Sequence, residues 1–155
     1  MAKSSRQLIK DDYTTNQTLE EEARRLGIPL HFCWNKDRFN RPTKNGGYII
    51  NLADEGNEGT HWVALWKENR QCCYFDSFGL PPPLDVERYL PRYYYNATVV
   101  QNPSRGFCGG YCLEFLQLMN EQRQLPVPQR YQAYLNLFKQ NFHKNHRILR
   151  KLQLD

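Results

Sequence analysis

Two short apolar runs, His61-Trp-Val-Ala-Leu-Trp66 and Gln71-Cys-Cys-Tyr-Phe75, stand four residues apart, joined by Lys67–Arg70. Apolar runs of this length bounded by polar residues read as buried strands. A joint this short suits an antiparallel hairpin. The hairpin also carries chemistry. His61 opens the first strand and Asp76 lies just past the end of the second, so both positions come to one edge of the sheet.

The flanking elements fill in around that hairpin. Thr18-Leu-Glu-Glu21 matches a capping box and Gly27-Ile28-Pro29 supplies a stop, which predicts a helix over 18–26. Strands are expected at His31–Trp34, Tyr48–Leu52 and Ala97–Val100. Asn35–Gly47 and Ala53–Thr60 read as polar loops, and Pro81-Pro82-Pro83 forces an extended connection before a short helix over Asp85–Leu90. The loop Gln101–Phe107 opens into an apolar helix, Cys108–Gln122. After Pro126 and Pro128, a last helix carries Tyr131, Tyr134, Leu135, Phe138 and Phe142 at helical spacing, and Ile148, Leu149 and Leu152 extend the stripe. Helix, then strands, then helices is an α+β pattern: a small mixed sheet packed on a central helix, with further helices at its flanks. At 155 residues one domain is expected over 1–155, with an N-terminal extension at 1–17 and a basic helical segment at 130–155.

Composition excludes several classes. No apolar stretch approaches ~20 residues, so no membrane span is expected. The N-terminus lacks a signal-peptide core, and five cysteines, an odd number, argue for free thiols in a reducing compartment. On that reading the sequon Asn96-Ala97-Thr98 is accidental. Residues 1–119 carry fourteen basic and fourteen acidic side chains. Residues 120–155 carry Arg123, Arg130, Lys139, Lys144, Arg147, Arg150 and Lys151 against Glu121 and Asp155. The net charge of +5 therefore sits in the last 36 residues. Such an end is either a solvated helix face or a footprint for nucleic acid.

Cys108 is expected at a helix N-terminus, where unpaired N–H groups and the helix dipole favour a thiolate. Gly109 and Gly110 each cost a helix about 0.8–1.0 kcal/mol relative to Ala. Their place in the first turn suggests that a substrate backbone approaches closely. A nucleophilic cysteine needs a base, an orienting carboxylate and oxyanion donors. His61, Asp76 and Gln101 supply one residue for each task, with the Cys108 backbone N–H as second donor. Each has a plainer reading on its own: Cys108 a buried helix cysteine, His61 a strand-end histidine, Asp76 a turn residue, Gln101 a strand end. Cys112 reads as core, and Cys33, Cys72 and Cys73 as structural. His31 has no comparable carboxylate partner, and His143 and His146 lie in the basic end. The spacings Cys72-Cys73 and Cys108-x3-Cys112 do not make paired zinc knuckles, so no metal is expected.

Taken together, Gly59-Thr60-His61-Trp62-Val63-Ala64-Leu65, Tyr74-Phe75-Asp76-Ser77-Phe78-Gly79, Gln101 and Cys108-Gly109-Gly110-Tyr111-Cys112 resemble the adenain-like cysteine proteases. These include maturation proteases of adenoviruses, virophages and Polinton-type elements, and the superfamily contains the SUMO-specific proteases. The resemblance covers about residues 18–122. It implies a triad of His61, Asp76 and Cys108, Gln101 at the oxyanion hole, and a narrow channel walled by Trp62, Gly109 and Gly110. That channel implies cleavage after glycine or other small residues, through a thioester. Asp76 stands where adenovirus-type enzymes often have Glu, as in the SUMO-protease branch. The expectation is a monomeric viral or virophage protease acting on capsid or other virion precursors, within virions and the host cytoplasm, virus factory or nucleus. It needs no cofactor, although DNA stimulation is compatible with the basic end; no peptide cofactor is implied, because no cysteine matches the linking one. The short chain favours this over the alternative, a protease for a ubiquitin-like modifier. A non-catalytic nucleic-acid module is the third reading.

Overall fold

The computed structural model describes residues 15–53, 61–97, 99–100 and 108–138. Helix α1 (Asn16–Arg25) precedes strands β1 (Leu30–Asn35), β2 (Gly46–Asn51), β3 (Trp62–Glu68) and β4 (Gln71–Phe75). A single helical turn, α2 (Leu84–Glu87), leads to β5 (Arg92–Tyr95), followed by α3 (Cys108–Glu121) and α4 (Val127–Leu135). The five strands form one mixed sheet in chain order. The inner pairs β2/β3 and β3/β4 are antiparallel, and the outer pairs β1/β2 and β4/β5 are parallel. Among the described residues no helix is long and apolar enough to cross a membrane.

Alternation along the strands sorts the core into two faces. Ile49, Ala64, Trp66, Cys73 and Phe75 face α3 and pack on Leu113, Phe115, Leu116 and Met119. Tyr48, Ile50, Val63, Leu65, Cys72 and Tyr74 face the opposite way, with Phe39 and Val86. The adjacent cysteines Cys72 and Cys73 thus divide between the faces. Burying side chains such as Phe115 and Leu116 contributes roughly 1.5–3 kcal/mol each. Close packing also explains Gly47, where an added Cβ would lie 3.1 Å from Leu116.

The hairpin forms as expected, with β3 running to Glu68 and only Asn69 and Arg70 at the turn. Asn69 takes φ 58°, a left-handed conformation that asparagine tolerates. Three sequence expectations need correction. The α1 capping box is Thr15 with Thr18, not Thr18 with Glu21: Thr15 Oγ1 accepts from Thr18 N–H (3.2 Å), and Thr18 Oγ1 accepts from Thr15 N–H (3.4 Å). A threonine does the work usually sought from Glu or Gln. Among the described residues the last strand is Arg92–Tyr95, and Ala97, Val99 and Val100 of the expected strand are not in one; Thr98 lies outside the described residues. Val100 N–H instead reaches the Ser77 carbonyl (2.9 Å) from a loop. Pro128 lies within the first turn of α4, where proline's missing N–H costs nothing. Phe142, the apolar positions beyond it and the basic residues from Lys139 onward lie outside the described residues.

Arg130, one of the basic residues, is buried in α4. It donates to Glu68 Oε1 (2.9 Å), Met119 O (2.8 Å) and Leu125 O (2.8 Å), tying α4 to β3 and to the C-terminal end of α3. Arg123 lies over the Trp66 ring at 5.1 Å.

Candidate active site

The hairpin ends bring His61 near Asp76. Ala64 pairs with Phe75 in the outermost rung, β4 then gives way to the turn Asp76–Gly79, and His61 stands immediately before β3, so both residues lie at one edge of the sheet. The His61 and Phe78 rings stack with centroids 3.9 Å apart and planes 6° from parallel. His61 Nε2 lies 2.7 Å from Asp76 Oδ1. On the other side, Leu52 N–H donates to the His61 carbonyl (3.0 Å), so the residue that follows β2 also holds the His61 main chain.

Asp76 is both a turn residue and the histidine's partner. Its Oδ1 accepts from Phe78 N–H (2.8 Å), and its carbonyl accepts from Gly79 N–H (2.8 Å). Gly79 has φ 75°, a conformation that explains glycine there. The same carboxylate oxygen therefore closes the turn and receives the imidazole. Asp76 is 1% exposed, and its Oδ2 has no hydrogen-bond partner among the described residues.

Cys108 is the first residue of α3, and Gly109 and Gly110 are buried in the same turn. N–H groups of a helix's first turn have no partner within the helix, and the dipole end they form favours negative charge on a sulfur placed there. Trp62 N–H donates to Cys108 Sγ (3.4 Å), while Cys112 Sγ donates to the Trp62 carbonyl (3.4 Å). Two cysteines one helical turn apart thus grip one residue of β3. The Trp62 indole is buried in the core on the α3 face.

The electrostatics follow from burial and these partners. Burial pulls the His61 imidazolium down, but the hydrogen bond and charge of Asp76, together with Cys108, outweigh it and raise His61 to about 9. With Nε2 turned to Asp76, Nδ1 is the ring nitrogen left for the sulfur. Among the described residues Nδ1 is buried without a partner at full hydrogen-bond geometry, yet Cys108 lies close enough to help raise the imidazole. Catalytic contacts commonly tighten only once substrate is bound. Burial pushes Cys72 up to about 12 and raises Cys33, Cys73 and Cys112 as well.

The structure thus brings His61, Trp62, Asp76, Cys108, Gly109 and Gly110 to one region. Gln101 lies outside the described residues. His31 is elsewhere, with Nε2 2.8 Å from the Asn45 carbonyl. Among the described residues no group of three His, Cys, Asp or Glu is placed to hold a metal ion. Sequence reasoning missed Phe78 as the ring under His61, Cys112 as a hydrogen-bond donor, and Asn96 behind Asp76. In the sequence Asn96 stands out only as a sequon, yet it is 1% exposed.

No family model matches the chain. Among solved structures it is similar to ASFV pS273R protease, with TM-score 0.57 and 14% identity over 94% of this chain and 66% of that one. A selenomethionine form of ASFV pS273R protease gives TM-score 0.49 and 18% identity over 73% of this chain and 44% of that one. The chain spans less than two thirds of the length of either solved chain. The first likeness shows the fold, the mixed sheet with its central helix α3.

Proposed function

We propose that this chain is a cysteine endopeptidase of the adenain-like kind, with Cys108 as nucleophile, His61 as base and Asp76 as the residue that orients the base. The observation that carries the proposal is the 2.7 Å contact between His61 Nε2 and Asp76 Oδ1, beside a cysteine that heads a helix. The shared fold with ASFV pS273R protease supports it.

The chemistry follows from the donors present. Asp76 accepts a hydrogen bond from Nε2–H, so Nδ1 faces the Cys108 thiol and takes its proton, which gives a thiolate beside an imidazolium that the Asp76 carboxylate stabilises. The sulfur then attacks the scissile carbonyl carbon, forming a C–S bond and an oxyanion. First-turn N–H groups of α3 and the Gln101 side chain are the proposed oxyanion donors. Collapse of the intermediate breaks the C–N bond, and the leaving amine takes the proton from His61. Water, activated by His61, hydrolyses the remaining thioester and frees Cys108. The Trp62 N–H offers the sulfur a donor between these steps.

The proposed substrates are capsid or other virion precursors cut after glycine or other small residues, with the enzyme in virions and infected cells as a monomer. Lys139, Lys144, Arg147, Arg150 and Lys151 are the proposed contacts for stimulatory DNA. The test is cleavage of precursor-derived peptides with glycine before the cut, by wild type and Cys108→Ala. The wild type cleaves and the variant does not. Equal cleavage by the variant removes Cys108 from the mechanism. Turnover of an intact ubiquitin-like modifier without peptide cleavage moves the assignment to the deconjugating branch.

A further inference from the structure

On the catalytic reading proposed above, we infer that Asn96 is a positioning residue: its carboxamide clamps the Asp76 main chain, and the Tyr131 hydroxyl of α4 locks the clamp. Asn96 Oδ1 accepts from Asp76 N–H (2.9 Å), and Asn96 Nδ2 donates to the Asp76 carbonyl (2.6 Å). One side chain thus bonds both main-chain polar atoms of the residue that follows β4, its carbonyl being shared with Gly79 N–H. The last rung between β4 and β5 pairs Tyr74 with Tyr95. Asn96 follows directly, and its carboxamide serves as a peptide group where the main-chain ladder has stopped. Aspartate lacks the donor, leucine lacks both groups, and glutamine is one methylene too long.

Tyr131 closes the arrangement. Its hydroxyl lies 2.5 Å from the Tyr74 carbonyl and 3.1 Å from Asn96 Oδ1, so its one proton serves two acceptors. Tyr131 is 4% exposed and Asn96 1%, which shields these bonds from competing water.

The clamp matters for catalysis because of what Asp76 lacks. Its Oδ2 is buried without a partner, and Oδ1 is shared between His61 and Phe78 N–H. The aim of the carboxylate therefore depends on where its own main chain is held. A displacement near 1 Å at a reacting geometry costs roughly 100-fold. The titratable groups acting on His61 are Asp76, at the end of β4, and Cys108, from α3.

The test compares Asn96→Ala and Tyr131→Phe with wild type, reading kcat and KM on a cleaved peptide and the His61 titration by NMR. Asn96→Ala should lower kcat roughly 10- to 100-fold with KM within about twofold. His61 should move from about 9 toward 6.5 as its bond to Asp76 loosens. Tyr131→Phe should shift both in the same direction by less, and it carries the test if Asn96→Ala does not fold. A folded variant that melts earlier but keeps wild-type kcat and His61 titration overturns the inference, because Asn96 is then structural only. His61→Ala separates the two claims. If it leaves activity intact, the catalytic reading falls and the inference falls with it. If it abolishes activity while Asn96→Ala and Tyr131→Phe change nothing, only the inference falls.

Discussion

Asp76→Asn removes one charge from the site and keeps the side chain's shape. Its carbonyl oxygen can still accept from Phe78 N–H, so the turn through Gly79 survives. The histidine loses its counter-charge. In the wild type, burial works against the imidazolium, and Asp76 with Cys108 raises it to about 9 from 6.5. Without the carboxylate, burial is opposed by Cys108 alone and His61 falls back toward 6.5. The difference is about 3 kcal/mol of imidazolium stabilisation, roughly 300-fold in the proton's binding constant. A raised folded-state value means that the native protein holds the proton more tightly than the unfolded chain. That stabilisation is complete below pH 6.5 and is lost as pH rises through about 9. Wild type should therefore lose at most about 3 kcal/mol across that window, and Asp76→Asn should lose little. The assay is denaturant unfolding at several pH values between 6 and 10, with the His61 ring followed by NMR. A variant whose His61 still titrates near 9, or whose stability falls with pH as steeply as wild type, refutes the reasoning.

Arg130→Ala should cost about 2–4 kcal/mol by urea unfolding, because the half-buried Glu68 carboxylate, the buried Met119 carbonyl and the half-buried Leu125 carbonyl lose their donor together. Cys112→Ala should cost about 1–3 kcal/mol by the same measurement, since the buried Trp62 carbonyl loses its donor; Cys112→Ser should recover part of that. If the basic end contacts DNA, replacing Lys139, Lys144, Arg147, Arg150 and Lys151 by Gln should flatten the slope of log affinity against log salt by roughly 0.9 for each contact removed. A slope that does not change removes these residues from the interface.

The parts of the fold set by local pattern were legible in the sequence. The β3–β4 hairpin announced itself through two apolar runs and a short joint, and that alone brought His61 toward Asp76. The apolar helix after Cys108 was equally plain. The strand Arg92–Tyr95 was not, because an edge strand of tyrosines has neither a buried apolar run nor clean alternation. The capping box was displaced because Thr18 accepts the N-cap hydrogen bond in place of an acidic residue. Asn96 was invisible as a site residue because its bonds join positions twenty apart in sequence, and no spacing rule encodes a carboxamide that stands in for a backbone rung. Cys112 reads as core in the sequence, which its burial supports, but a thiol donor to a strand carbonyl has no sequence signature. The role of Gln101 still rests on the resemblance, since it lies outside the described residues.

The central claim is that His61 activates Cys108. Iodoacetamide labelling near neutral pH, with each site read by mass spectrometry in wild type and His61→Ala, tests it most directly. Cys33, Cys72, Cys73 and Cys112 are buried thiols raised by burial, so they are an internal control. Cys108 should label first in wild type, and its labelling should slow at least about tenfold in His61→Ala, a loss in line with removing a positioned base. Labelling of Cys108 no faster than Cys33, and unchanged by the substitution, contradicts it.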